Sequence, residues 1–149
     1  MKNAIVTGAS NGIGLEISKK LTENNYYVGM IDIDKENLIK ESEKIHNTIP
    51  IEGDVTNEES IKNALKTFNK TPDLIVNNAG IVIFGSLEEQ SVEDFKKSVD
   101  VSLIGSYLVS RLSIEAMIKK KSGCIINMSS INGVHPCLLY TSPSPRDLS

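Results

Sequence analysis

The residues best suited to chemistry stand at the ends of apolar runs. The first set is Thr7-Gly8-Ala9-Ser10-Asn11-Gly12-Ile13-Gly14, which follows Ala4-Ile5-Val6 and opens an amphipathic segment, Ile13 to Leu21. That context reads as strand, glycine turn, helix. A turn with little side chain lets backbone come close to a diphosphate, and a helix N-terminus offers unpaired N–H groups and partial positive charge. Gly8 permits a tight exit from the strand, Gly12 a close approach of backbone to phosphate, and Gly14 close packing of helix on sheet. Three glycines at these offsets arise by chance in roughly one chain in twenty of this length, so the turn alone is weak evidence. A second signal strengthens it. Tyr26-Tyr27-Val28-Gly29-Met30-Ile31 is strand-like and ends at Asp32, where a carboxylate can accept hydrogen bonds from an adenosine ribose.

The elements that must position these groups follow in order. A polar helical segment runs from Lys35 to His46, and His46, isolated in sequence, reads as a surface residue. Ile49-Pro50-Ile51-Glu52 is a short strand leading into Gly53-Asp54-Val55. Thr56 and Glu59 have capping-box spacing and predict a helix over 57–68. Pro72-Asp73 breaks the chain before Leu74-Ile75-Val76, an apolar run of the kind buried in a parallel sheet, which ends in Asn77-Asn78-Ala79-Gly80. After a loop over 81–90, Ser91 and Asp94 repeat the capping spacing, and helical periodicity continues to Met117 and Ile118. That length predicts a break near Asp100. Lys119-Lys120-Lys121 reads as a solvated helix C-terminus, where cations are favourable. Cys124-Ile125-Ile126-Asn127-Met128 is the fifth strand, with Ser129-Ser130 at its end.

Five apolar runs separated by helices predict an α/β fold, a doubly wound parallel sheet with right-handed crossovers. Ligands in such sheets bind beyond the carboxyl ends of the strands. The Gly8–Gly14 turn, Asp32, Asp54, Asn77–Gly80 and Ser129–Ser130 all fall there.

Composition narrows the class. The chain has 149 residues, 40% hydrophobic and 23% charged, as expected of one globular domain with a real core. A net charge of −3 argues against nucleic acid or an anionic membrane surface as partner. No apolar run approaches transmembrane length, and the N-terminus enters a strand at once, so neither a membrane span nor a signal peptide is expected. Cys124 and Cys137 make neither a disulfide framework nor a metal site. A cytoplasmic location is expected, and no metal.

In this order and spacing, the Thr7–Gly14 turn, Asp54-Val55, Asn77-Asn78-Ala79-Gly80 and Ile126-Asn127-Met128-Ser129-Ser130-Ile131-Asn132-Gly133 resemble the short-chain dehydrogenase/reductase family over residues 1–136. The resemblance implies a Rossmann fold and an NAD(P)-dependent oxidoreductase that moves a hydride between nicotinamide and an alcohol or carbonyl. Gly8, Ser10, Asn11, Gly12, Ile13, Gly14 and Asp32 would bind the cofactor. Asp54 and Val55 would flank the adenine, and Asn78, Ala79 and Gly80 would line the cleft. Ser130, three residues before Gly133, matches the family serine that hydrogen-bonds the substrate oxygen; a hydroxyl can donate to a developing alkoxide without carrying charge. Asn127 reads as structural. Asp32 would repel a 2′-phosphate by roughly 3 kcal/mol per charge pair at about 6 Å and an effective dielectric near 20. Asn11 stands where NADP-preferring members often carry arginine. NAD is therefore expected over NADP, with Lys35 as a softening charge.

Two positions depart from the family pattern. Ser102, in Val101-Ser102-Leu103-Ile104-Gly105, replaces an asparagine that helps hold a water in the proton relay, so a weakened or altered relay is expected. The family's acid/base pair, Tyr-x-x-x-Lys about thirteen residues after the serine, works because a nearby ammonium lowers the tyrosine pKa. Here that position is Pro143; Tyr140 is three residues early and is followed four residues later by Ser144. Residues 137–147 resemble a translated sequencing adapter, the alternative being a Pro/Ser-rich disordered tail. The expectation is an incomplete dinucleotide-binding domain over 1–136, truncated after the fifth strand, and a non-native tail over 137–149. Such a chain would be inactive, with Ile125 and Ile126 on an exposed sheet edge. The whole protein would be a homodimer or homotetramer acting on a small alcohol or carbonyl. A non-catalytic dinucleotide-binding sensor or regulatory module is the competing reading. A nucleotide-sugar epimerase-type relative fits less well, given Asn77–Gly80 and the eight-residue glycine turn.

Overall fold

The computed structural model describes residues 1–86 and 88–130. Its elements alternate: β1 (Lys2–Thr7), α1 (Gly12–Glu23), β2 (Tyr26–Asp32), α2 (Lys35–Ser42), β3 (Thr48–Glu52), α3 (Glu58–Phe68), β4 (Leu74–Asn77), α4 (Val92–Val99), α5 (Gly105–Lys120) and β5 (Cys124–Asn127). The five strands form one parallel sheet in the order β3-β2-β1-β4-β5. This is the doubly wound α/β arrangement, and it brings every strand's carboxyl end to one edge.

Strand alternation divides the core in two. On one face Ile5, Ile31, Ile51 and Ile75 meet Ile61, Ala64 and Phe68 of α3 and Val109 and Met117 of α5. On the other, Ala4, Val6, Val28, Met30 and Val76 meet Leu38 of α2 and Leu15, Ile17 and Leu21 of α1. Burying each large apolar side chain contributes about 1.5–3 kcal/mol, so the central strands hold the sheet together.

Local chemistry refined four expectations. The second helix stops at Ser42, short of His46, because tight turns follow: Ile45 N–H donates to Ser42 O, and Thr48 Oγ donates to the Ser42 and Ile45 carbonyls. The third helix is capped by Asn57, whose side chain accepts from Ser60 N–H at 2.9 Å, while Thr56 bonds Asp54 instead of forming the expected capping box. The expected break near Asp100 is a π-helical turn, Asp100–Ile104, in which Gly105 N–H donates to Asp100 O five residues back. The lysine run is not wholly solvated, since Lys120 Nζ lies 2.5 Å from Asp73 Oδ1.

The helical run Val92–Lys120, counted through the π-helical turn, is long and apolar enough, by length and composition, to cross a bilayer, unlike the expectation above. It carries Asp100, Arg111 and Glu115, and α5 buries Leu108, Val109, Ser113 and Met117. Among the described residues β3 and β5 are the outer strands, and β5 leaves Ile126 43% exposed.

Candidate functional site

The site is built where β1, β2, β3 and β4 end. Gly8 and Gly12 adopt positive φ, +65° and +51°, as the tight turn requires. A Cβ on Gly14 would run into Gly8 O and the Asn78 amide, so α1 rests directly on the turn. Asn78 braces it from β4, its Nδ2 donating to Thr7 O at 3.0 Å and Gly8 O at 3.1 Å. In return Thr7 Oγ1 accepts from the N–H groups of Asn78 and Ala79 at 3.1 and 3.0 Å. Thr7 is buried, and its bracing role carried no sequence signal beyond its place before the first glycine.

The start of α1 differs from those of α2, α3 and α4, while α5, also without a side-chain cap, continues directly from the π-helical turn. Asn11 makes no side-chain cap and the first turn holds no acid, whereas Asp34, Asn57 and Ser91 cap α2, α3 and α4. No side chain, then, meets the partial positive charge at that end. Beside it, Asp32 Oδ2 accepts from Ser10 N–H at 2.9 Å and Oδ1 from Asp34 N–H at 3.0 Å. Asp54 Oδ1 accepts from the Thr56 N–H and hydroxyl at 2.9 and 2.7 Å. Asp54 is oriented by donors from its own loop and Asp32 by one from its own loop and one from the glycine turn, and each keeps acceptor capacity for a further donor.

A cleft of about 600 Å³ runs between these loops, and Gly8, Asn11, Ile13, Asp32, Asp54, Val55, Asn78, Ala79 and Gly80 line it. Of the other expected cofactor residues, Ser10 is buried beneath the turn, Gly14 is packed on Gly8, and Gly12 borders a shallow groove along α1. Sequence reasoning missed Ile31, Ile33, Gly53, Ile81, Lys97 and Val101, which complete the lining. An exposed apolar residue after the acid, Ile33, was an available signal; Lys97 and Val101, four apart on one helical face, had none.

Ser102 and Ser130 do not line this cleft. Ser102 Oγ lies 3.6 Å from where a Cβ on Gly80 would stand, so it sits beside the cleft's Gly80 end. Ser130 is exposed beyond the end of β5, and Gly133, its motif partner, lies outside the described residues, as does the whole of 137–149. Asn127 has a structural role: its Oδ1 accepts from the buried Asn77 amide at 2.8 Å, and the same amide donates to Ser110 Oγ of α5 at 2.9 Å. Lys35 Nζ is held 2.9 Å from Glu52 Oε2, and that hydrogen bond and charge raise its pKa above the ordinary lysine value. No group of three or more His, Cys, Asp or Glu among the described residues could hold a metal ion.

Comparison with known proteins decides the family. A family model described as short chain dehydrogenase matches residues 2–142. The chain belongs to that family. The match extends six residues past Pro136, into the adapter-like segment. Among curated relatives, an uncharacterized oxidoreductase of Thermotoga maritima is 37% identical over 139 residues, which cover 89% of this chain and 55% of the relative. A probable NADP-dependent dehydrogenase of Haemophilus influenzae is 34% identical over 138 residues, 89% of this chain and 55% of the relative. Among solved structures, a 3-oxoacyl-[acyl-carrier protein] reductase of Brucella melitensis with bound NAD superposes with a TM-score of 0.85 at 27% identity, covering 89% of this chain and 55% of that one. This short-chain dehydrogenase chain thus spans about half the length of the relatives it matches.

Proposed function

We propose that this chain is the dinucleotide-binding part of an NAD-dependent oxidoreductase acting on a small alcohol or carbonyl compound. The uncapped N-terminus of α1, set in a positive-φ glycine turn beside the Asp32 carboxylate, carries the reading. The residues fit a dinucleotide: backbone donors for a diphosphate, a carboxylate for ribose hydroxyls, and Val55 and Val101 as an apolar seat for a base. When bound, the nicotinamide would supply the hydride donor or acceptor. Ser130 would donate to the substrate oxygen and Ser102 would hold a relay water, both as the family resemblance implies. The named relatives point both ways on cofactor, one NAD-bound and one NADP-dependent, so the preference rests on Asp32. The domain spans 1–136, and the whole protein is a cytoplasmic homodimer or homotetramer.

Binding without turnover is expected, because no Tyr-x-x-x-Lys follows Ser130 in these 149 residues. That same observation favours the second reading, a dinucleotide-binding sensor or regulatory module. The test is a fluorescence titration of the purified chain with NADH and NADPH. NADH should bind about tenfold tighter, equivalent to 1.4 kcal/mol, and Asp32→Asn should shrink the ratio to within about threefold. Failure to bind either dinucleotide would sink the proposal. Turnover of an alcohol by the chain itself would overturn its incompleteness. Genomic sequence across codon 136 separates the two readings: a frame continuing into Tyr-x-x-x-Lys makes the whole protein an enzyme.

A further inference from the structure

Lys35 opens α2, three residues after Asp32, and its amine is engaged by Glu52 at the end of β3. In the sheet register Glu52 stands directly beside Asp32. Residues paired across neighbouring strands send their side chains to the same face, so both carboxylates and the Lys35 amine gather at one corner of the sheet end. Asp32 lines the cleft, whereas Glu52 and, while held by it, Lys35 do not. The pair is 62% and 56% exposed, so its bond competes with water and a stronger anion can displace it. Lys35 N–H is separately fixed on Ile33 O at 3.1 Å, which keeps the base of the side chain at this corner whichever anion holds its tip.

We propose that Glu52 sets cofactor selectivity by holding Lys35. With Lys35 engaged, the ammonium that follows Asp32 in the chain is held on Glu52, which disfavours a 2′-phosphate. Without the Glu52 charge, the Lys35 ammonium is released toward that phosphate and offsets the Asp32 repulsion. Lys35 thus softens the NAD preference only when unpaired, and Glu52, outside every family motif, decides whether it is. The inference rests on the dinucleotide reading above.

The test compares NADH and NADPH affinities of the chain, Glu52→Gln, Lys35→Met and the double variant by fluorescence titration, with thermal melts to confirm that each folds. Glu52→Gln should tighten NADPH by about fivefold and leave NADH within about twofold, the size expected of one exposed charge pair. The gain should vanish in the double variant and shrink with added salt. A gain that persists without Lys35 overturns the proposal, since it would then reflect only removal of the Glu52 charge. An unchanged NADPH-to-NADH ratio in Glu52→Gln overturns it too, while NADH binding by the parent chain leaves the functional reading intact. If the parent chain binds neither dinucleotide, the functional reading falls and takes the inference with it.

Discussion

Gly12 and Gly14 sit two residues apart in one turn under different constraints. A Cβ at Gly14 would meet Gly8 O and the Asn78 amide, both held by other bonds, so the turn cannot yield. Gly12 has nothing within 4 Å of a Cβ but adopts φ +51°. Gly14→Ala should therefore destabilise the fold by about 3 kcal/mol, the upper end of overpacking effects. Gly12→Ala should cost only the left-handed penalty, about 1 kcal/mol, and weaken NADH binding out of proportion to that loss. Urea denaturation beside NADH titration reads both, and a Gly14→Ala chain as stable as the parent would refute the packing account. The glycines and Asp32 were legible in sequence because their spacing is their chemistry. Thr7 was not, since its value lies in two N–H groups of the loop that follows β4.

At the scale of elements, caps and ion pairs place the strands and helices. Asn57 rather than Thr56 caps α3, because its side chain reaches Ser60 N–H while Thr56 is committed to Asp54. Asn57→Ala should lower stability by about 1 kcal/mol, seen as a shifted urea midpoint with unchanged slope. Asp73 ties α5 to β1: it accepts from Lys120 at 2.5 Å and from Asn3 N–H at 2.8 Å. The Lys120 bond first, then that of Asn3, lowers its pKa from the ordinary 3.8. A lowered folded pKa contributes stability that is complete above 3.8 and is lost as pH falls through the folded value. Asp73→Asn should thus cost about 1–2 kcal/mol at neutral pH, and thermal melts should show the gap to the parent closing below the ordinary carboxyl pKa. A gap that stays constant into acid would mean that the charge contributes nothing.

Across the whole molecule, order in the sheet separates the protected from the exposed. Central β1 is buried through Ala4 to Thr7, while outer β5 leaves Ile126 43% exposed. The helical run Val92–Lys120 adds Phe95, Tyr107 and Ile118 at 59%, 58% and 67% exposure. A strand that is outermost among the described residues and carries exposed apolar side chains favours self-association. The apparent mass of the purified chain from light scattering should therefore rise with concentration, and Ile126→Lys should suppress that rise without lowering the melting temperature. Equal scattering from both would locate the association elsewhere.

The sequence by itself determined the five strands, the glycine turn, the acid ending β2, the Ser91 cap and the family, because each depends on side-chain type and spacing over about ten residues. Tertiary structure decided the rest. Strand order, not spacing, brings Lys120 to Asp73 across 47 positions, sets Glu52 beside Asp32, and carries Lys97 and Val101 to the cleft. Competition among partners decided the details: Asp54 took Thr56 and left the cap to Asn57, and Glu52 took Lys35. Local patterns specify what each segment can be; only packing specifies which distant group it meets, since that contact is made by the sheet and not by the chain between.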